Sequence, residues 1–268
     1  MKPVFVLVAV LLTGPALTSP VLAQPDSAPG VPPSMASRLA AERVSAVQSG
    51  LYSTDGKDSF TLQPYGRGKY LLRFTGGNEQ FVLTVERGSL GTKWLKYDTG
   101  ATALRVSVWG GLTLYTRDNP GGVPANRQDD APPPGVLSVS AAEFQTALND
   151  ETSHLAYAQK VPLKFSADPA VLAATPEIRG RAFDALVNAA QGIERFVAQS
   201  SSARQSLMKR VNQVKLAEGG KPTISIVGQV LLVSFVPGEG HEGHASSLAI
   251  EQELGRLLTT AGKDMASK

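Results

Sequence analysis

Between Leu51 and Thr116 the chain alternates apolar and polar residues, and small glycine-containing clusters interrupt the alternation at short intervals. A period of two puts one face of each strand on a core and joins successive strands by tight turns, which commits this stretch to an antiparallel sheet. Phe60 and Leu62 make the first apolar set, followed by Tyr70, Leu72 and Phe74, then Phe81, Leu83 and Val85. A shorter strand is expected from Trp94 to Tyr97, and another through Leu104, Val106 and Val108. Gly66-Arg67-Gly68, Gly76-Gly77-Asn78 and Asp98-Thr99-Gly100 supply turns, and Gly110-Gly111 closes a tight hairpin into Leu112 and Leu114. About six short strands make a small sheet that must curl, close partly into a barrel, or be covered.

The period changes after residues 117–137, where Pro120, Gly121, Gly122, Pro124 and Pro132-Pro133-Pro134 read as a linker or rim loop. Ser140-Ala-Ala-Glu143 matches a capping box and opens a helix carrying Phe144, Leu148 and Leu155. Val161 to Phe165 reads as a strand. Thr175 is a candidate N-cap with Pro176 at the first helical position, and Ile178, Ala182, Leu186, Ala190, Ile193 and Val197 share one face of the helix behind it. A second helix is expected from Ser202 through Leu207, Val211 and Val214, stopped by Gly219-Gly220. Two strands over 223–227 and 229–236 follow as a hairpin at Gly228, and a final helix covers 246–260. The expected fold is α+β: an N-terminal antiparallel β-meander, curled or partly closed, and then a half with helices on a small sheet. The expected divisions are 37–116 (a helix-compatible stretch at 37–48, then the meander), the linker 117–137, the α+β half 138–262 and a tail 263–268.

Residues 1–23 read as a signal peptide. Lys2 is its positive start, Val4 to Leu12 its apolar segment, too short to span a bilayer, and Val21-Leu22-Ala23 its cleavage site before Gln24. The Pro/Ser/Gly-rich stretch 24–36 reads as a flexible leader. The chain contains no Cys. That excludes disulfides, Cys–Zn sites, Fe–S clusters, thiol catalysis and an N-terminal lipid anchor. A periplasmic or secreted protein, not a lipoprotein, is therefore expected, with a core that stabilises itself unaided. Residues 24–134 hold 12 basic and 10 acidic residues and 135–268 hold 13 of each. No basic face is concentrated enough for nucleic acid, and no apolar run after the signal is long enough for a membrane helix.

Few residues point to chemistry. His241 and His244, at i and i+3, could share a metal with Glu239 or Glu242 as an oxygen ligand, but Pro237, Gly238, Gly240 and Gly243 read as a solvated connection between strand and helix, a loop whose ordering would cost conformational entropy. No cofactor and no tight metal are expected, so a chelator should leave the melting temperature unchanged. His154, the only other His, sits near the end of the first helix after the linker, where a cation suits the helix dipole, and reads as a structural or surface residue. No nucleophile-elbow or phosphate-loop motif occurs. Asp55, Asp58, Glu79, Glu86 and Asp98 fall at turns, where acids serve turn chemistry, though two of them could act as an acid–base pair. Arg73, Trp94, Arg105, Trp109 and Tyr115 cluster in the meander, either packing on the sheet or building a sugar- or peptide-binding face.

Tyr70-Leu-Leu-Arg-Phe74, Phe81-Val-Leu83, Leu104-Arg105 and Gly110-Gly-Leu-Thr-Leu-Tyr115 carry a resemblance, as does Val236-Pro-Gly-Glu-Gly-His241 with Gly243, Ser246-Ser247 and the last helix. The pattern resembles a family of exported alphaproteobacterial proteins labelled only as a domain of unknown function (4908), over roughly residues 50–262. The resemblance implies a bacterial exported protein and supplies no activity, cofactor or catalytic residue. Two functions compete. One is a non-catalytic protein that binds an envelope component or another exported protein. The other is an exported hydrolase using a carboxylate pair or the His241/His244 loop.

Overall fold

The computed structural model describes residues 47–55, 58–131, 135 and 137–266. The signal peptide, the leader and most of the helix-compatible stretch lie outside them; Val47 and Gln48, its last two positions, carry no helix. Eight antiparallel strands close a barrel in sequential order: β1 (Gly50–Thr54), β2 (Ser59–Pro64), β3 (Lys69–Phe74), β4 (Phe81–Arg87), β5 (Lys93–Lys96), β6 (Thr102–Val106), β7 (Leu112–Leu114) and β8 (Val123–Asp129). The alternating apolar residues are its filling. Leu62 opposes Leu72, Leu95 opposes Leu104, and Leu104 opposes Leu114, all buried completely. A barrel of eight strands is narrow enough for side chains to fill its interior. Gly110 takes φ +83° in the β6–β7 turn, where a Cβ would be strained.

Two strands exceed the expected six. β1 precedes the first apolar set, and β8 lies inside the stretch read as a linker. β8 pairs with β7 on one side and β1 on the other, and so closes the barrel. Its composition hides it, because Ala125 is its only buried residue and Pro124 sits opposite Thr113 without donating a ladder hydrogen bond. Arg127, within this strand, donates from Nε to the Ser49 carbonyl at 2.9 Å.

The second half contains α1 (Ala141–His154), continued by a wider π turn to Gln159, then β9 (Lys164–Ala167), α2 (Pro169–Ala173), α3 (Pro176–Gln199), α4 (Ser201–Arg210), β10 (Gln213–Glu218), β11 (Thr223–Val227), β12 (Val230–Phe235) and α5 (Ser247–Ala266). The expected caps are present. Ser140 and Glu143 exchange both capping-box hydrogen bonds, and Thr175 Oγ1 accepts from the Ile178 N–H. The sheet order is β11-β12-β10-β9, with β9, β10 and β12 parallel and β11 antiparallel at the edge. β10 corrects the helix expected to run to Gly219. Val211 leaves the helix at φ −132° and ψ 130°, and Val214 and Leu216 then alternate into the core. The spacing of Leu207, Val211 and Val214 mimics a helical stripe, but pairing on both edges of β10 outweighs that local preference. α5 likewise runs past Gly262 to Ala266, six residues beyond the expected end at 260.

α3 crosses α5 closely. A Cβ on Gly192 would lie 2.6 Å from Ile250. The barrel holds the start of α5 and the loop before it. Tyr65 Oη accepts from the His241 N–H at 3.1 Å, Lys69 pairs with Glu242, Asp98 and Glu79 accept from Ser246 and Ser247, and Arg117 Nη2 donates to Glu251 at 2.6 Å. The described residues from barrel to α5 accordingly fall in one compact unit. Among them, no helix is long and apolar enough to cross a membrane.

Candidate functional site

Helical periodicity on α3 brings Arg181, Asp184 and Asn188 to one side of the helix. The chain leaving β12 turns tightly over 237–242 and delivers His241 and His244 opposite them. Two glycines make this turn possible. Gly240 has φ +59° and lies against the Tyr65 hydroxyl, and a Cβ on Gly243 would overlap the Val236 carbonyl. The histidine loop is thus no solvated connection: His241 is 9% exposed and His244 8%.

One ligand atom from each of Asp184, His241 and His244 lies within 4.8 Å of the others. His244 Nε2 is 4.0 Å from Asp184 Oδ2 and has no hydrogen-bond partner, although it is buried. Asn188 Nδ2 lies 3.1 Å from His244 Nδ1 and donates to the Ala245 carbonyl at 3.0 Å. Arg181 Nη1 stands 3.5 Å from His241 Nδ1 and 3.6 Å from Asp184 Oδ2. Burial, followed by the Arg181 charge, lowers His241 to about 4. Burial, His241 and Arg181 lower His244 to about 4. Both rings are therefore neutral at pH 7, each keeping one ring nitrogen with a lone pair. Burial pushes the Asp184 carboxyl up, opposed by Arg181. The two rings border a cavity of about 670 Å³ that also touches Gln80, Asp98, Gln252 and Arg256.

A second concavity, about 970 Å³, lies between the barrel and the helices. Phe74, Phe81, Trp94, Tyr97 and Tyr115 line the barrel side, and Arg195, Gln199 and Glu251 the other. Tyr97 meets Phe81 edge-on at 5.2 Å, and Trp94 tilts against Tyr115 at 6.2 Å. Of the five candidate binding residues, the structure brings three together: Trp94, Tyr115 and Arg105, whose guanidinium lies 5.6 Å over the Trp94 ring. Trp109 stands apart at the tip of the β6–β7 hairpin, 84% exposed. Arg73 is also exposed, its Nε donating to the Gly77 carbonyl at 3.2 Å.

Three of the five candidate carboxylates have structural partners, and one of them, Glu86, lies within β4 rather than at a turn. Glu86 pairs with Lys96. Asp98 accepts from the Ser246 N–H at 2.9 Å and hydroxyl at 2.6 Å, and Glu79 accepts from the Ser247 N–H at 2.7 Å and hydroxyl at 2.5 Å. Two acids from barrel turns thus meet the positive end of α5. Burial raises Glu79 to about 7 against the opposing hydrogen bonds from Ser247. His154 is a surface residue paired with Glu194 at 2.7 Å.

Sequence reasoning missed Asp184, Asn188 and Arg181. Their signal was a set of polar residues at helical spacing on an amphipathic helix, more than fifty residues before the histidines they face. A family model described as a domain of unknown function (DUF4908) matches residues 34–254, covering the barrel, the small sheet and the first turns of α5. No curated protein and no solved structure matches the chain.

Proposed function

The chain belongs to the family described as a domain of unknown function (DUF4908), and from that premise we propose that it is an exported binding protein, periplasmic or secreted, with no catalytic role. Its ligand is an envelope component or another exported protein, held in the aromatic cleft. The observation that carries this reading is the row of Trp94, Tyr97 and Tyr115 facing Arg195, Gln199 and Glu251 across one concavity. Aromatic faces with amide, carboxylate and guanidinium groups at their edge suit polar ligands that also present apolar faces, such as glycans and glycopeptides. Export rests on the sequence pattern of Lys2, the apolar Val4 to Leu12 segment and the Val21-x-Ala23 site. Protein recovered from outside the cytoplasm should begin at Gln24, and a retained Met1 in membrane fractions would overturn the export reading.

The cleft has a convenient reporter, since the chain holds only two tryptophans. In a Trp109→Phe variant, emission comes from Trp94 alone. Titration with soluble disaccharide-peptide fragments of the cell wall should change that emission saturably, and Tyr115→Ala should weaken binding about tenfold. An unchanged emission, or equal binding by the Tyr115→Ala variant, would sink the reading. The hydrolase alternative draws on Asp184, which stands beside His244 as an acid beside a base. Cleavage of the same fragments, followed by mass spectrometry and lost in Asp184→Asn, would favour it.

A further inference from the structure

We propose that Asp184, His241 and His244 bind a divalent transition metal ion of the zinc class, with a coordination position open to the neighbouring cavity. The site is independent of the aromatic cleft and uses none of its residues. Two imidazoles and a carboxylate are the ligand types such ions favour, and three protein ligands leave room for a water or a ligand atom. Metal–ligand bonds of roughly 2.0–2.2 Å hold neighbouring ligand atoms roughly 3.3–3.6 Å apart. The observed cluster, within 4.8 Å, closes to that size with about an ångström of side-chain movement.

The independent observation is the orphaned Nε2 of His244. It is buried, unpartnered and 4.0 Å from Asp184 Oδ2. Each neutral tautomer leaves a fault. A lone pair at Nε2 faces a carboxylate, and an N–H there is too far from it for a hydrogen bond. A cation between the two atoms removes both faults. With the ion on Nε2, the ring proton moves to Nδ1 and faces the Ala245 carbonyl. Asn188 Nδ2, 3.1 Å from Nδ1 and a donor in the metal-free chain, must then give up the ring and keep only its bond to that carbonyl. The entropy cost that loop composition suggests is met by folding, because Tyr65, Lys69 and Gly243 already fix the turn. Arg181 opposes the ion. Its guanidinium stands near Asp184 and His241 and occupies in part the electrostatic role the cation would take.

Contrary to what the loop composition alone suggests, the untagged full chain, stripped with chelator, should take up a single zinc ion by calorimetric titration at neutral pH and gain several degrees in melting temperature. Cobalt(II) should give the visible bands of a four- or five-coordinate site. Asp184→Asn, close to isosteric, and His241→Ala should each weaken zinc binding at least about 100-fold with the circular dichroism spectrum unchanged. Arg181→Met should tighten it about tenfold by removing a like charge. His154→Ala should leave it unchanged. The proposal fails if the wild-type chain binds no zinc, if Asp184→Asn and His241→Ala bind like the wild type, or if His154→Ala abolishes binding.

Discussion

Arg179→Ala is expected to destabilise the protein by about 4 kcal/mol, read as a lowered urea midpoint with an unchanged slope. Arg179 is 8% exposed, and its guanidinium donates from Nε to the Val139 carbonyl at 2.8 Å and from Nη1 to the Leu172 carbonyl at 3.3 Å and the Ala174 carbonyl. Its partners are backbone oxygens at the end of α2 and in the strap that precedes α1, where the partial negative charge of a helix C-terminus favours a cation. Truncation leaves those oxygens in place without donors, at about 1–3 kcal/mol for each one kept from water. Arg179→Lys should recover only part of the loss, because one ammonium cannot reproduce a planar fork across two segments. Gly180, the next residue, shows how closely the strap lies: a Cβ there would overlap the Leu137 carbonyl. A loss under about 1 kcal/mol for Arg179→Ala would mean that water takes over its bonds.

Glu79→Gln should become more stable relative to the wild type as pH rises from about 5 to about 8, by about 3 kcal/mol. Glu79 is 5% exposed and its carboxyl is raised from 4.5 to about 7, by burial first, with Asp98 adding and Ser247 and Arg195 opposing. Tyr97 also faces it from β5's end. A folded value above the unfolded one means that the native state holds the proton more tightly. The wild type therefore has its full benefit below pH 4.5 and loses it progressively as pH rises to about 7. The amide keeps both Ser247 contacts, accepting from the N–H and bonding the hydroxyl, but cannot ionise. His241 and His244, lowered to about 4, contribute the opposite slope, losing stability as pH falls from 6.5 toward 4. The difference between variant and wild type cancels that term. Parallel stability curves across this range would show that Glu79 is ionised throughout.

The residues that announced themselves were those whose local chemistry is also their tertiary role. Leu72, Leu83 and Leu104 alternate because a barrel interior needs one face of each strand, and Ser140 with Glu143 caps a helix from within four residues. β8 and β10 were hidden for different reasons. β8 is polar because a single inward residue suffices at its place in the barrel, and β10 borrows a helical spacing that only its two strand neighbours overrule. The histidine pair was visible, but its burial was not, since it depends on Tyr65 from the barrel and Asp184 from α3. Such long-range partners leave no mark on the local pattern. Glu79 and Asp98 read as turn acids, and nothing near them in sequence points to the serines of α5 that they hold.

The pairing of β1 with β8 sets the order in which this chain can mature. Tyr52 meets Arg127 across the seam, so β1 waits some seventy residues for this partner. A chain that emerges N-terminus first carries β1 with one edge unpaired until the last barrel strand arrives, and that edge is a template for pairing with another molecule. Closure of so long a loop is also slow compared with forming the neighbouring hairpins. Late-stage misassembly should therefore concentrate at this seam, with Gln128 and Ser53, which share a 2.8 Å side-chain hydrogen bond across it, among the last contacts to form.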